Sequence, residues 1–334
     1  MIRRAIQPLA DRVAARRETA TLSRKLAEAL ATAAADPAHL VSRRCPVCDD
    51  SRIDEVPAVR GPIYPFHRCQ RCSLLYTPAV LRPDAQRKFW DKHPVSREWW
   101  TRLYKDARAN RERAVYTPLV ARLAARAPGR GAAIDVGCHF GKLVAELKAV
   151  FGEVFGLELN PRTAKTGAQN HGVDIRTTPI ERLDRPASSV DVITMNQILE
   201  HLTDVRPLLA GAHRLLKAKG VLYVGLPHAA SIGMRLRGAA HSYVATHQHV
   251  NLFTAEPLAR LAVDLGFRIA ELRTDDTVDL SAADWAVARI PDRPPYLYAP
   301  AFAVDQVVRR VAAVGRIPSR LGVGAHLEAI LIKE

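Results

Sequence analysis

Four of the chain's five cysteines form two short pairs, Cys45-Pro46-Val47-Cys48 and Cys69-Gln70-Arg71-Cys72, with twenty residues between them. Each pair offers two thiolates from one tight turn, and two such turns complete a tetrahedral zinc site. A reducing cytoplasm disfavours the alternative of disulfides. Four thiolate ligands leave no open position, so the expected zinc is structural. It would hold a small ribbon whose own core is too thin to fold alone.

A second constellation follows at Ile134-Asp135-Val136-Gly137-Cys138-His139-Phe140-Gly141. Here a short apolar strand must bend into a helix and bring its backbone close to a ligand, which Gly137 and Gly141 permit. The next apolar stretch ends in an acid, in Gly156-Leu157-Glu158-Leu159-Asn160. A carboxylate there accepts hydrogen bonds from both hydroxyls of a ribose. A dinucleotide would need a third glycine, so that its pyrophosphate sits on the helix start. That glycine is missing, and Asp135 would repel a pyrophosphate. The same acid suits a cofactor that carries an ammonium and a sulfonium. Leu159 joins the expected cofactor set. Glu181, after the third strand, stands either near the adenine or as the acid of a helix start. Asn196 and Gln197 lie just past the fourth strand, at the sheet edge where ligands bind.

These residues need elements to hold them. Strands are expected at 132–136, 153–159, 174–177, 190–195, 220–226, 267–273 and 326–332, with helices at 142–150, 162–170, 205–216 and 256–265 between them. The alternation implies an α/β fold: a doubly wound, mostly parallel seven-stranded sheet. Ahead of it, residues 1–40 read as an amphipathic helix, with Ile2, Ile6, Leu9 and Val13, then Leu22, Leu26 and Leu30, on one face. Residues 41–80 are the zinc ribbon. Residues 81–130 form a helical cap or linker carrying Phe89, Trp90, Trp99, Trp100, Tyr104 and Tyr116, closed by Pro128-Gly129. The last domain is 131–334.

From about residue 131 the chain resembles the class I S-adenosylmethionine-dependent methyltransferases, which are Rossmann-like. Their first motif, acidic-x-Gly-x-Gly-x-Gly, is matched at Asp135 to Gly141, with His139 in the place of the middle glycine. The fourth-strand motif is matched as Asp191-Val192-Ile193-Thr194-Met195-Asn196-Gln197-Ile198-Leu199-Glu200-His201-Leu202, and later matches follow at Leu222 to Pro227, His249 to Thr254 and Leu265 to Phe267. The resemblance implies S-adenosylmethionine as cofactor, held by Asp135, Gly137, Cys138, His139, Gly141 and Glu158. His139 either caps the methionine end or simply tolerates the turn, since histidine accepts positive φ better than most side chains. An amino-terminal four-cysteine ribbon before such a domain is similar to the sugar C-methyltransferases and to enzymes of cell-envelope and natural-product pathways. That likeness implies a base at His201, with Glu200 orienting it or touching substrate. His241, Tyr243, His247 and His249 crowd a loop after the fifth strand, where His247 or His249 is expected to meet the acceptor.

Charge keeps a second partner open. The net charge is +15, and residues 1–130 hold 26 Lys/Arg against 13 Asp/Glu. Such a front suits nucleic acid or a phosphorylated small molecule as well as a solvated surface. Two enzymatic readings follow: methyl transfer to a sugar nucleotide, glycan precursor or secondary metabolite, and methyl transfer to RNA. Against RNA, strand four lacks the Asn-Pro-Pro-aromatic signature of base amino methylation. A non-enzymatic adaptor conflicts with the intact Asp135, Gly137, Gly141 and Glu158. No apolar run reaches the roughly 20 residues of a membrane span, so a cytoplasmic protein is expected. The amino-terminal helix leaves room for a homodimer.

Overall fold

The computed structural model describes residues 2–60, 65–109, 116–238, 241–245, 248–277 and 294–334. In chain order the strands are β1 (Leu40–Ser42), β2 (Ile53–Arg60), β3 (Pro65–Cys69), β4 (Leu75–Tyr76), β5 (Ala79–Leu81), β6 (Ala132–Val136), β7 (Glu153–Leu157), β8 (Asp174–Arg176), β9 (Val190–Asn196), β10 (Leu216–Pro227), β11 (Asn251–Leu252), β12 (Phe267–Thr274) and β13 (His326–Lys333). The helices used below are α1 (Ile2–Ala34), α2 (Pro83–Lys92), α3 (Pro94–Ala109), α4 (Thr117–Ala124), α5 (Lys142–Leu147), α6 (Pro161–His171) and α7 (Arg206–Leu215).

Seven strands form one sheet in the order β12-β13-β10-β9-β6-β7-β8. The pairs β10–β9, β9–β6, β6–β7 and β7–β8 are parallel, and β13 runs antiparallel to both β10 and β12. Strand β9 is buried from Val190 to Met195, as a strand covered on both faces must be. Strand order reverses between β6 and β9, which opens a crevice at their carboxyl ends. Asp191, fully buried, anchors the start of that pair: it accepts from Ala132 N at 2.8 Å and from Lys217 Nζ at 2.9 Å. Asn160 caps α6 by accepting from the amides of Arg162 and Thr163, and Gly172 ends it with φ 64°.

The helix expected at the amino terminus packs on its own chain. Leu26 and Leu30 are buried against Leu81 and Phe89, and Val13 against Tyr298. The ribbon is less separate than its sequence suggests. Its four-stranded sheet has the order β11-β4-β3-β2, so β11, contributed from beyond β10, completes it. Cys45, Cys48, Cys69, Cys72, Leu74 and Tyr76 share one hydrophobic cluster with Met195, Leu199 and Phe253 of the large domain. Among the described residues no helix is long and apolar enough to cross a membrane.

Candidate active site and four-cysteine centre

The turn after β6 runs through three left-handed residues, Gly137 (φ 67°), His139 (φ 51°) and Gly141 (φ 74°). A Cβ on Gly137 would lie 1.9 Å from Cδ1 of Ile198, so a side chain there would have to displace Ile198 on a left-handed backbone. His139 takes the middle position with a positive φ, as histidine tolerates. Its ring stands edge-on to Phe140 with centroids 4.1 Å apart, and burial lowers its pKa to about 4, so it is neutral at pH 7. Cys138 covers Gly156, whose Cβ would meet the thiol sulfur at 2.3 Å. Burial, first, and then the charges of Asp135 and Glu158 push that thiol far up, so it fills space and is not a nucleophile.

Two cavities meet at Gly137. One, of about 330 Å³, is lined by Glu158, Leu159, Glu181, Ile198 and His201 among others. The second, of about 220 Å³, is lined by Tyr116, Asp135, His139, Lys142 and Asn196 among others. The first therefore gathers the ribose acid expected at the end of β7, Glu181 from the turn after β8, and the histidine expected as base. Glu158 is raised chiefly by burial, and the amides of Asn160 and His139 oppose that shift. Asp135 is 3% exposed and accepts from Thr194 Oγ1 at 2.6 Å. Burial raises it to about 7, the Thr194 hydroxyl lowers it, and the Glu158 charge raises it by a lesser amount. A desolvated acid at the cavity wall favours a bound cation. Of the two residues past β9, Asn196 lines the second cavity. Gln197 turns with φ 59°, donates its amide to Gly225 O at 2.8 Å and lines neither.

Beyond β9 the short turn Leu199–His201 brings Glu200 and His201 beside His249. Glu200 is 1% exposed, among the described residues neither of its carboxyl oxygens has a hydrogen-bond partner, and burial raises it to about 8 against a smaller opposing effect of its own backbone. His201 Nε2 lies 3.8 Å from Glu200 Oε1. Its Nδ1 lies 3.1 Å from Gln248 O, which places the proton on that nitrogen and leaves Nε2 unprotonated. Burial lowers the His201 pKa and the Gln248 carbonyl raises it by less. The His201 and His249 rings are 4.9 Å apart, and His249 Nδ1 lies 3.1 Å from Tyr243 O. His241 is buried within the same segment, where Tyr243 N donates to its Nδ1 at 3.2 Å. His247 lies outside the described residues.

Tyr116 is a site residue that sequence reasoning left in the cap. Its side chain lines the second cavity with Asn196, and its amide donates to the Glu146 carboxylate. Only its position at the start of α4 hints at this. Lys142 follows Gly141 directly and was legible as a cation beside the turn. The aromatics of the cap form a ladder that ends on Phe140. Centroids are 6.1 Å apart for Trp90–Trp100, 6.2 Å for Trp100–Tyr104 and 5.4 Å for Tyr104–Phe140.

The four cysteines of the ribbon are free, buried and clustered. Cys45 and Cys72 sulfurs are 3.5 Å apart, Cys48 and Cys69 sulfurs 3.4 Å, and all four lie within 4.8 Å of one another. Four sulfurs each 2.3 Å from one tetrahedral ion would stand about 3.8 Å apart. The arrangement fits one such ion.

Residues 107–272 match the family model described as "Methyltransferase domain". Over 165 residues the chain is 27% identical to the ubiquinone biosynthesis O-methyltransferase of Xanthomonas oryzae pv. oryzae, a stretch covering 46% of this chain and 66% of that protein. It is 26% identical over 172 residues to the enzyme of the same name from Brucella anthropi, covering 48% of this chain and 68% of the relative. A solved S-adenosylmethionine-dependent methyltransferase from Archaeoglobus fulgidus is similar over 70% of this chain and all of its own length, with 16% identity and a TM-score of 0.49.

Proposed function

Because residues 107–272 form a methyltransferase domain of the S-adenosylmethionine-dependent class, we propose that the chain methylates a small molecule, with His201 as general base. The observation that carries this reading is that His201 lines the same cavity as Glu158. In it Glu158 holds the ribose hydroxyls, with Leu159 and Glu181 beside the adenine. Asp135, Asn196 and Tyr116 face the amino-acid end, around the Gly137 turn. When bound, the cofactor supplies a sulfonium-borne methyl group for in-line displacement. His201 Nε2 takes the acceptor's proton, Glu200 and His249 flank it, and the buried setting keeps water from competing. The ribbon cysteines Cys45, Cys48, Cys69 and Cys72 would hold a structural zinc with no open position.

A sugar nucleotide, glycan precursor or secondary metabolite is the proposed acceptor class. The relatives named for ubiquinone biosynthesis O-methylation support a small acceptor. The basic front also serves the fold, since Arg122 pairs with Glu271 and Glu328 of the large domain. The test is release of S-adenosylhomocysteine against a panel of nucleotide sugars, phenols and total RNA. Turnover with a small molecule, lost in His201→Gln, is expected. Turnover with RNA alone, or normal turnover in His201→Gln, would sink the reading.

A further inference from the structure

The ribbon reaches the Glu200–His201–His249 cluster through backbone pairing, with Thr77 N donating to Val250 O at 3.1 Å, and through one half-buried side chain. Arg43 stands two residues before Cys45, and its guanidinium lies between three segments. Nε donates to Thr77 O at 2.7 Å and Nη1 to Thr203 O at 2.9 Å. Nη2 donates to Val250 O at 2.6 Å and to Asn251 Oδ1 at 2.9 Å. Asn251 carries the linkage on: its Nδ2 donates to Leu199 O and Leu202 O, both at 2.8 Å. Val250 N donates to Glu200 O at 2.8 Å. The segments 199–203 and 248–251 are thereby tied into one frame, and the frame closes on Arg43.

Both imidazoles hang from this frame. His201 belongs to the first segment and sets its proton by the carbonyl of Gln248 in the second, and His249 belongs to the second. Arginine suits the central place because its planar fork presents five fixed donors, whereas lysine presents three on a flexible stem. Without the fork, the Thr203 carbonyl would lose its charged donor, and Val250 O would keep only the Thr77 amide at 3.1 Å.

We propose that Arg43 is a positioning residue for the Glu200–His201–His249 cluster: it fixes which His201 nitrogen carries the proton and where that ring sits. The role of His201 as base rests on the function proposed above; the positioning itself does not. A contact that merely docks the ribbon would leave the ring chemistry untouched. A ready comparison is Arg206, which ties the ribbon to the large domain elsewhere, at Val47 O.

The test uses the full chain labelled with nitrogen-15 at histidine, as wild type, Arg43→Met, Arg43→Lys, Arg206→Ala and His201→Gln. The His201 ring signal is the one missing in His201→Gln. In wild type and Arg206→Ala we expect one fixed tautomer with the proton on Nδ1. In Arg43→Met the two nitrogen signals converge as the tautomers mix, and Arg43→Lys lies between. S-adenosylhomocysteine affinity by calorimetry stays within about threefold in Arg43→Met, while turnover with the acceptor found above falls about 10- to 100-fold, the scale of an ångström-sized misplacement. A wild-type ring signature in Arg43→Met, or an equal change in Arg206→Ala, overturns the proposal. If Arg43→Met does not fold, an unchanged signature in Arg43→Lys overturns it. If His201→Gln keeps full turnover, the base assignment fails while the ring signature still decides the positioning role.

Discussion

The Oε1 atom of Glu200 lies 3.8 Å from Nε2 of His201, and among the described residues no hydrogen bond reaches either oxygen of that carboxyl group. Burial holds Glu200 up at about 8 and His201 below its ordinary value. At neutral pH the pair is therefore an acid that keeps its proton beside a base that has none. Glu200→Gln imitates that protonated acid. It should retain more than about half of the wild-type turnover at pH 7, while His201→Gln loses at least about 100-fold, within the usual range for a general base. The wild-type rate should rise through a pKa below 6.5 and then level off. A Glu200→Gln variant as inactive as His201→Gln would mean that the carboxylate itself acts.

Asp135 gives a stability prediction with a definite sign. Its folded-state pKa is raised to about 7, so the folded chain binds more protons than the unfolded one between about pH 4 and 7. Stability without cofactor therefore falls as pH rises through that window. Asp135→Asn should melt a few degrees higher at pH 8, given about 2–4 °C per kcal/mol for a chain of this size, yet lose most of its cofactor affinity. Thermal melts with and without S-adenosylhomocysteine measure both effects. A wild-type response of Asp135→Asn to the ligand would remove this acid from the site.

Gly137→Ala tests the turn. The new Cβ would meet Ile198 Cδ1 at 1.9 Å on a backbone with φ 67°, so contact and backbone strain add. A loss of roughly 2–4 kcal/mol is expected, from about 1–2 for the left-handed residue and the remainder from overpacking. Adding Ile198→Ala should restore only the contact part. Full recovery in the double variant, by denaturant titration, would show that φ is not limiting.

The ribbon should bind one zinc per chain by elemental analysis, and Cys69→Ser should lower that content and the melting temperature together. Cys69 is wholly buried in the cluster that also holds Met195 and Leu199. Losing its ligand therefore disturbs the large domain as well. A fully folded protein without metal would refute the zinc assignment.

Much of this was legible because local rules and the global fold agree. Gly137 and Gly141 marked a turn that needs left-handed residues, and Glu158 marked a strand end. Val190 to Met195 read as a strand. What escaped were links made across long separations by residues with ordinary local roles. Nothing around Arg43 distinguishes it from its neighbour Arg44, whose guanidinium pairs with Asp49 at the surface. Asn251 and Leu252 carry no strand periodicity of their own, since a two-residue strand exists only because Leu75 and Tyr76 lie opposite. Tyr116 enters the site beside Asn196, eighty residues away in sequence.

The aromatic ladder from Trp90 to Phe140 has an optical consequence. Three of the four tryptophans, Trp90, Trp99 and Trp100, lie within eleven residues of the cap, and Phe140 at the ladder's far end belongs to the turn proposed to hold the cofactor. The chain thus carries a built-in fluorophore beside its ligand site. Excitation at the tryptophan band should report occupancy of the Gly137 turn by a change in emission, with no dye attached.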